Sequence, residues 1–314
     1  MTRHRTLTPL PIASAILLCH CVPEVGPPAS LLLAPRVLAV RSEPAEVAPG
    51  AVARLVLFAA GPGDGRAEGI DDALADAEWA LCLAPKPPVD NNFISELCLR
   101  DDAAVSRLGV RGAQAELRVP DGACALFGPQ TPPQPSGEPP ARPREPDATG
   151  GYYQPVRVRV PALGLTALAG VRILCGLPSA EPAVAAAYRA QYVANRNPEI
   201  ASLYALYQGA PWPLDALPVG AAISLRLVPR PESAESFVVF DPMLQLLRPQ
   251  RESLRVSWFA GQGRFARATT DDAQGAEIAG DFTAPEAAGP VLLWAVLRDS
   301  RGGVAVIAQP AQVR

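Results

Sequence analysis

The stretch Ser253-Leu-Arg-Val-Ser-Trp-Phe259 alternates apolar and polar side chains along its length. Its inward-facing positions are every second residue, namely Leu254, Val256 and Trp258. A period of two places these side chains on one face of an extended chain, which is typical of a half-buried β-strand. Gly261 and Gly263 follow and indicate a turn. The stretch therefore predicts a strand whose one face covers an apolar core.

Similar short segments, most of them bounded by Pro or Gly, occur on both sides of this strand. The predicted strands cover residues 37–41, 52–60, 78–83, 114–119, 156–160, 168–177, 200–207, 221–228, 237–240, 253–259, 291–297 and 304–308. Many short strands separated by turn signals are typical of antiparallel sandwiches. We therefore predict an all-β fold made of two immunoglobulin-like antiparallel β-sandwiches, with a short helical connector and a Pro-rich insertion.

The composition limits the alternatives. The 314 residues include 36 Pro and 25 Gly, and the share of Pro is over twice the usual value of about 5%. Each interior Pro removes a helical hydrogen bond, so long helices are excluded. Apolar residues make up 49% of the chain and charged residues 19%, which excludes a highly charged disordered chain. No run of 18 uncharged apolar residues follows the N-terminus, so we expect no transmembrane helix.

The N-terminus resembles an export signal. Residues 1–8 contain two Arg and no acid, and residues 10–18 form an apolar stretch of the length of a signal h-region. This stretch ends in Leu17-Leu-Cys-His-Cys21, and a Cys at this point indicates a bacterial lipoprotein. We predict a signal peptide over residues 1–20, lipidation at Cys21 and a flexible tether over residues 21–34. Lipidation at Cys19, ordinary signal cleavage and a cytoplasmic protein with an apolar start are the alternatives.

The number and position of the histidines limit the catalytic chemistry that is available to the chain. The sequence has two, His4 and His20, and both precede Cys21. Cleavage before Cys21 would leave a mature chain without histidine, which removes Ser-His-Asp catalysis and imidazole metal sites. We therefore expect a non-catalytic protein with no catalytic residues, no metal and no small-molecule cofactor. The net charge is −3, and the arginines are spread along the chain, so we expect no nucleic-acid partner.

The domain boundaries follow from the strands and the prolines. The first sandwich is predicted over residues 35–180 and contains a disordered, Pro-rich insertion over residues 128–151, which offers almost no apolar side chain. A connector helix is predicted over residues 181–196, because residues 182–193 begin with Pro at a first-turn position and contain five Ala. The second sandwich is predicted over residues 197–314.

Four cysteines remain in the body of the chain, and an even number in an exported protein predicts two disulfides. They allow three pairings. We favour Cys82 with Cys98, and Cys124 with Cys175, because the second bridge would join the two ends of the Pro-rich insertion. A zinc site with four Cys ligands is the alternative, although the spacing lacks a Cys-x-x-Cys pair.

The acidic residues offer weaker candidates. They form four groups: Asp71-Asp72 with Asp76 and Glu78, Asp101-Asp102, Asp271-Asp272, and Asp90-Asn91-Asn92. We interpret them as solvated loop acids, and we interpret Lys86 as a solvated charge. A calcium site, centred on residues 90–92, and a glycosidase carboxylate pair are the alternatives.

The aromatic residues are assigned mostly to packing. Trp79, Trp258 and Trp294 lie in predicted strands and are expected in the core. Trp212 is the candidate for an exposed ring that stacks on a ligand. We expect the tyrosines to pack between the domains, and they are Tyr152, Tyr153, Tyr188, Tyr192, Tyr204 and Tyr207.

The second half of the chain resembles bacterial immunoglobulin-like domains of the PKD-like kind. The resemblance is carried by Val219-Gly220, residues 256–263, Thr283-Ala-Pro285 and residues 293–303, and residues 43–50 resemble the opening turn of such a domain. The PKD-like pattern Trp-Asp-Phe-Gly-Asp-Gly reads Trp-Phe-Ala-Gly-Gln-Gly here, without its acids, so no ion role transfers. The whole chain resembles bacterial surface lipoproteins with tandem immunoglobulin-like domains.

This resemblance implies a fold and a display or adhesion role, and it supplies no catalytic residues. Together with the export signal, it predicts a non-catalytic envelope lipoprotein with a structural, display or adhesion role. The expected partners are the membrane, through the lipid anchor, and an envelope protein or a glycan. A carboxylate-only glycoside hydrolase and a calcium-dependent adhesin are the alternative functions.

Overall fold

The computed structural model describes residues 27–62, 70–84, 95–100, 102–126, 128, 149–272 and 276–314. The predicted signal peptide, the lipidation site Cys21 and the first part of the tether lie outside these residues. Residues 129–148 of the Pro-rich insertion, Lys86, residues 90–92 and Asp101 lie outside them as well. Among the described residues, no helix is long and apolar enough to cross a membrane.

The first sandwich contains eight strands in the described part of the chain: β1 (Arg36–Glu43), β2 (Glu46–Val47), β3 (Val52–Ala60), β4 (Glu78–Cys82), β5 (Val105–Arg111), β6 (Gln114–Arg118), β7 (Gly151–Val160) and β8 (Leu165–Leu174). One sheet has the order β1-β3-β6 and the other has the order β2-β8-β7-β4-β5. Every pairing is antiparallel except that of β2 with β8. Short helices α1 (Ile70–Leu74), α2 (Leu97–Arg100) and α3 (Ala123–Leu126) connect the strands.

The core of the first sandwich follows from side-chain alternation. Strands β3, β6 and β7 carry apolar side chains at alternate positions that point inward, for example Leu55, Leu117 and Val158, which are buried. Trp79 of β4 lies among them, and its indole N–H donates to the carbonyl of Gly112 at 2.8 Å. The indole is thus fully buried with its polar atom satisfied.

The second sandwich is built from the remaining strands: β9 (Ile200–Tyr207), β10 (Ala210–Trp212), β11 (Ala222–Pro229), β12 (Ser236–Asp241), β13 (Leu246–Arg251), β14 (Leu254–Ala260), β15 (Arg264–Phe265), β16 (Thr269–Asp272), β17 (Ile278–Thr283), β18 (Gly289–Asp299) and β19 (Val304–Val313). Its sheets have the orders β10-β9-β11-β17-β15 and β16-β14-β18-β19, and β12 and β13 form a separate hairpin. Trp258 lies in the core beside the ring of Phe265, as its position on β14 predicts. The prediction of an all-β fold with two antiparallel β-sandwiches is confirmed.

The connector contains helix α4 (Pro182–Gln191), which begins at Pro182 as the sequence predicts. Tyr188 is its one buried side chain, and it packs with Leu177 and with Phe240 of the β12–β13 hairpin. The helix therefore lies against the second sandwich.

The sequence places residues 21–34 in a flexible tether, and the structure corrects the end of that segment. Leu32 is buried, and its N–H donates to the carbonyl of Ala260 at 2.9 Å. The N–H of Ala260 donates in turn to the carbonyl of Ser30, also at 2.9 Å. Residues 30–32 therefore lie against the end of β14, because Leu32 is an apolar side chain with a core to enter.

The two sandwiches meet through an apolar contact as well as through the connector. Leu38 and Ala39 of β1 pack against Trp294 of β18 and Val304 of β19, on the outer face of the second sandwich. The guanidinium of Arg298 donates to the carbonyl of Leu38 at 2.8 Å. Trp294 is buried as predicted, but it is buried between the domains, since it points away from the second core.

Both disulfides have the pairing that the sequence favours. Cys82, at the end of β4, is bonded to Cys98 of α2, and Cys124 of α3 is bonded to Cys175, which follows β8. The first bridge spans 16 residues and the second spans 51. The second bridge joins the chain on either side of residues 129–148.

We expect the longer bridge to contribute more to stability, because it removes more freedom from the unfolded chain. Replacing Cys124 and Cys175 by Ser should lower the free energy of unfolding by about 4 kcal/mol, and the same change at Cys82 and Cys98 by about 3 kcal/mol. Urea denaturation of the two double variants measures the difference. A larger loss for the shorter bridge would contradict the entropic account.

Candidate functional site

A cluster of buried polar side chains lies where the two sandwiches and the connector meet. We call it the junction cluster; it includes the half-buried Tyr192, and its buried members are Glu46, Arg172, Asn195, Glu235, Glu252, Asp299 and Arg301. Glu46 and Arg172 come from the first sandwich, on β2 and β8. Tyr192 and Asn195 follow helix α4, and the others come from the second sandwich. The cluster therefore draws on all three parts of the described fold.

The first-sandwich side of the cluster is an ion pair between Arg172 and Glu46. The Nε of Arg172 donates to Oε1 of Glu46 at 3.0 Å, and these side chains are 2% and 0% exposed. The hydroxyl of Tyr192 lies 2.9 and 2.7 Å from the two carboxylate oxygens, and the backbone N–H of Asn195 donates to Oε2 at 2.8 Å. The connector thus supplies further hydrogen-bond donors to the buried carboxylate of Glu46 on β2.

The second-sandwich side is organised by Arg301, in the turn between β18 and β19. Its Nε donates to Oε1 of Glu252 at 2.6 Å, and its Nη2 donates to Oε2 of Glu235 at 2.9 Å. Its Nη1 donates to the carbonyl of Val193 at 2.6 Å and to the hydroxyl of Tyr192 at 3.2 Å. All three guanidinium nitrogens therefore have partners, as a buried charge requires.

Tyr192 links the two ion pairs. Its hydroxyl donates to Glu46 and accepts from Arg301, so one side chain of the connector contacts both sides. Its ring stacks on Tyr188 at a centroid distance of 4.7 Å, which fixes its orientation. The guanidinium of Arg301 also lies 4.4 Å from the centroid of the Phe237 ring, a cation–π contact.

Asp299 shapes the turn that carries Arg301. Its Oδ1 accepts the backbone N–H groups of Arg301 and Gly303 at 2.8 and 2.9 Å, and the side-chain amide of Asn195 at 3.3 Å. A Cβ atom at Gly303 would collide with the carboxylate of Asp299, so the turn needs a glycine there. Oδ2 of Asp299 and Oδ1 of Asn195 are buried without a hydrogen-bond partner.

Burial and charge shift the ionisation of the cluster. Burial, with the nearby charge of Asp299, raises the pKa of Glu252 to about 7. Burial also raises the pKa of Asp299 and that of Tyr192. Burial opposes the charge of Arg301, but its hydrogen bond and attraction to Glu252 outweigh this and raise its pKa. Proton binding at Glu252 is therefore coupled to the folded state near neutral pH.

The chemistry of Glu235 and Glu252 deserves comparison with that of a glycosidase. Two carboxylates on one arginine, one of them with a raised pKa, have the composition of an acid–nucleophile pair. A general acid must contact its substrate, however, and these side chains are 5% and 0% exposed. A groove of about 360 Å³ lies beside Glu235, where the exposed Arg196 pairs with that carboxylate. The burial of Glu235 and Glu252 therefore favours a structural role for this pair over contact with a substrate.

The acids singled out in the sequence lie on separate elements. Asp71 and Asp72 are exposed on α1, while Asp102 and Asp271 are paired with arginines. Glu78 pairs with Arg111 at 2.8 Å. Within the described ranges, no group of three or more His, Cys, Asp or Glu side chains is placed to hold a metal ion.

The aromatic candidates divide between two places. Tyr153 packs near Gly302 at the domain contact, and Tyr188 and Tyr192 lie at the junction, as expected. Tyr204 and Tyr207 lie on β9 instead, so the expectation of interdomain packing is wrong for them. Trp212 is exposed, although its indole N–H donates to the carbonyl of Ala216 at 2.7 Å.

The matches of this chain to known proteins are to solved structures. No family model matches it, and no curated protein matches it. Among solved structures, it is similar to the D0-D1 domain of intimin, with 9% identity over 88% of this chain and 96% of that one and a TM-score of 0.21. It is also similar to the Yersinia pseudotuberculosis adhesin InvE, with 10% identity over 88% of this chain and 58% of that one and a TM-score of 0.24.

A further similarity is to a lipoprotein from Bacteroides thetaiotaomicron, with 12% identity over 35% of this chain and 78% of that one and a TM-score of 0.22. TM-scores this low carry no conclusion about this chain. The fold assignment rests on its own sheets and cores.

We expect Arg301 to be among the most important single side chains for stability. Replacing it by Met removes the partner of two buried carboxylates, so the free energy of unfolding should fall by about 3–5 kcal/mol. Arg196→Met is the matched control, because Arg196 pairs with the same Glu235 but is 68% exposed. The control should lose less than about 1 kcal/mol. Equal losses in urea denaturation would show that burial is not what matters at Arg301.

We also expect Glu252 to make stability depend on pH. Its pKa rises from 4.5 in the unfolded chain to about 7 in the folded chain, so the folded state binds the proton more tightly. Its contribution is therefore fully present below pH 4.5 and is lost as pH rises through 7. Between pH 5 and 8 the stability of the wild type should fall by about 2–3 kcal/mol relative to Glu252→Gln.

Thermal or urea denaturation across this pH range measures the difference. Glu199→Gln serves as control, since Glu199 is an exposed carboxylate paired with Arg230. The control should follow the wild-type profile. A constant difference between the wild type and Glu252→Gln at all pH values would contradict the assignment.

Proposed function

We propose that the chain is an exported, lipid-anchored protein of the bacterial envelope, and that its two sandwiches act as a non-catalytic structural or adhesive unit. The observation that carries this proposal is the junction cluster, which holds the two sandwiches and the connector together. A protein that only displays or bridges other molecules needs a fixed shape, and buried ion pairs are a means of fixing one.

The domain contact supports a rigid unit. Contacts within single chains that are small and polar permit domain motion, whereas this one combines an apolar cluster with the buried charges. Leu38 and Trp294 lie in the apolar part, and Arg301 and Tyr192 lie in the polar part. Bending the domains apart would break the hydrogen bonds by which Tyr192 joins Glu46 of the first sandwich to Arg301 of the second.

The disulfides support export. Both bridges lie in the first sandwich, and stable disulfides are typical of proteins that fold outside the cytoplasm. This agrees with the signal peptide that the sequence predicts.

The position of Ser30 suggests how far the folded body would lie from the membrane. Ser30 is fixed beside Ala260 and is nine residues after Cys21 (30 − 21), and nine extended residues span at most about 30 Å. An anchor at Cys21 would therefore hold the second sandwich close to the bilayer. Such a short reach favours contacts with neighbouring envelope proteins or glycans over presentation far from the cell.

The anchor is tested by expressing the whole chain in a bacterium with a labelled fatty acid. We expect the wild type to carry the label, to fractionate with membranes and to yield a mature N-terminus that begins at a modified Cys21. Cys21→Ser should lose the label and the membrane association, because no thiol remains at the cleavage site.

Cys19→Ser is the matched control, as it removes a thiol only two residues away. It should remain labelled. A label retained in Cys21→Ser, or an unmodified N-terminus beyond residue 21 in the wild type, would refute the anchor at Cys21.

A further inference from the structure

Four arginines surround a small residue on the outer face of the first sandwich. We call this surface the arginine face, and its arginines are Arg107 and Arg111 of β5 and Arg157 and Arg159 of β7. Strand β4 runs between β5 and β7, with Ala80 paired to Arg107 on one side and to Arg157 on the other. Glu78 is paired in the same way to Arg111 and Arg159. The alternation of the strands therefore directs four guanidinium groups to one face.

The arginine face contains a hollow of about 160 Å³ above Ala80. The methyl group of Ala80 leaves space that the long neighbouring side chains surround. Strand β5 also has a bulge here. Arg107 and Arg111 are four positions apart on β5, whereas their partners on β4, Ala80 and Glu78, are two positions apart. Gly109 lies in the bulge with a φ of 71°, a conformation that favours glycine. The bulge separates Arg107 from Arg111 and so widens the hollow.

The arginine face already holds one carboxylate of the chain itself. Asp102 accepts from Arg157 at 2.7 Å, from Arg107 at 2.9 Å and from Arg159 at 3.0 Å. The hydrogen bonds from Arg157 and Arg107, together with the positive charges of Arg159 and Arg157, lower the pKa of Asp102. The backbone carbonyls of Cys98 and Leu99 accept from Arg157 and Arg159 and keep both guanidinium groups in place. Two of the four arginines are therefore fixed before any ligand arrives.

The other two arginines are open to solvent. Arg107 and Arg111 are 65% and 62% exposed, although each has an acidic partner. In the described part of the chain, the carboxylates within 4 Å of the four guanidinium groups belong to Asp76, Glu78 and Asp102, which leaves a surplus of one positive charge. A guanidinium carries five N–H donors, more than one carboxylate can use, so an external anion can share these groups.

We propose that the arginine face binds the carboxylate or sulfate groups of an acidic polysaccharide. The planar fork of arginine matches such oxyanions with two parallel hydrogen bonds. Binding of a single-stranded nucleic acid requires exposed aromatic rings on which its bases stack. Trp79, the aromatic residue that lines the hollow, is buried with its N–H bonded to the carbonyl of Gly112, so it offers no such ring. The choice of a glycan as carrier of the anion rests on the proposed role in the envelope.

The test measures binding of the purified full chain to dextran sulfate, polygalacturonate, neutral dextran and a single-stranded oligonucleotide by biolayer interferometry. We expect at least one acidic polysaccharide to bind, with an affinity that falls as salt rises, and neutral dextran not to bind. Which acidic polymer binds distinguishes sulfate from carboxylate recognition. Arg107→Gln with Arg111→Gln should weaken binding by about tenfold, because each change removes a charge-assisted hydrogen bond.

The matched control is Arg230→Gln with Arg255→Gln on the second sandwich. These arginines are 65% and 62% exposed, as the tested pair is, and each pairs with an acidic side chain. The control should change the affinity by less than about twofold, because it removes the same net charge at positions away from the arginine face. Thermal melting of both double variants verifies that they are folded.

Equal weakening in the two double variants would overturn the proposal, since only net charge would then matter. It would also be overturned if neither acidic polysaccharide bound, or if the oligonucleotide bound more tightly than both. None of these results would affect the fatty-acid label at Cys21, so failure of this site and failure of the envelope assignment are distinguishable.

Discussion

The buried guanidinium of Arg301 sets how the two sandwiches can meet. A positive charge removed from water is tolerated only where its donors are satisfied, and the partners of Arg301 come from different parts of the second sandwich and the connector. Tyr192 extends the requirement to Glu46 and Arg172 of the first sandwich. Strand β2, which is only two residues long, thus occupies its place beside β8 partly because Glu46 belongs to this cluster.

Apolar contact and buried charge make different contributions at this junction. Leu32, Leu38, Trp294 and Val304 remove apolar surface from water, which is favourable but imposes little direction. The ion pairs impose direction, because Glu235 and Glu252 must each face a particular nitrogen of Arg301. We infer that the apolar cluster supplies most of the affinity between the sandwiches and that the charges select one relative orientation. Replacing the whole set by apolar residues would then weaken that selection more than the affinity.

Sequence patterns predicted the strands with a clean period of two and those with a continuous apolar run, such as residues 291–297, and missed several others. Strand β14 was recognisable because Leu254, Val256 and Trp258 alternate with polar residues. Strands β5 and β13 were not predicted, because Gly109 interrupts the first and the second is mostly exposed and contains Pro249. The observed disulfide pairing could be favoured from the sequence because Cys82 and Cys98 enclose a short loop, and Cys124 and Cys175 lie on either side of the Pro-rich insertion. The strands Gly151–Val160 and Gly289–Asp299 extend beyond the predicted ranges 156–160 and 291–297, since the pairing with neighbouring strands continues past the residues that carry the sequence signal.

The junction cluster and the arginine face could not be predicted, because their partners are distant in sequence. Glu46 and Arg172 are 126 residues apart, and the sequence around each looks like an ordinary strand. The composition nevertheless contained a hint, since 28 basic residues include Lys86 as the single lysine, which leaves 27 arginines (28 − 1). Arginine can meet several acceptors in one plane, whereas the ammonium of lysine is a compact point charge. Arg301 has four polar partners on three nitrogens, and three guanidinium groups share the carboxylate of Asp102, so lysine could reproduce neither arrangement.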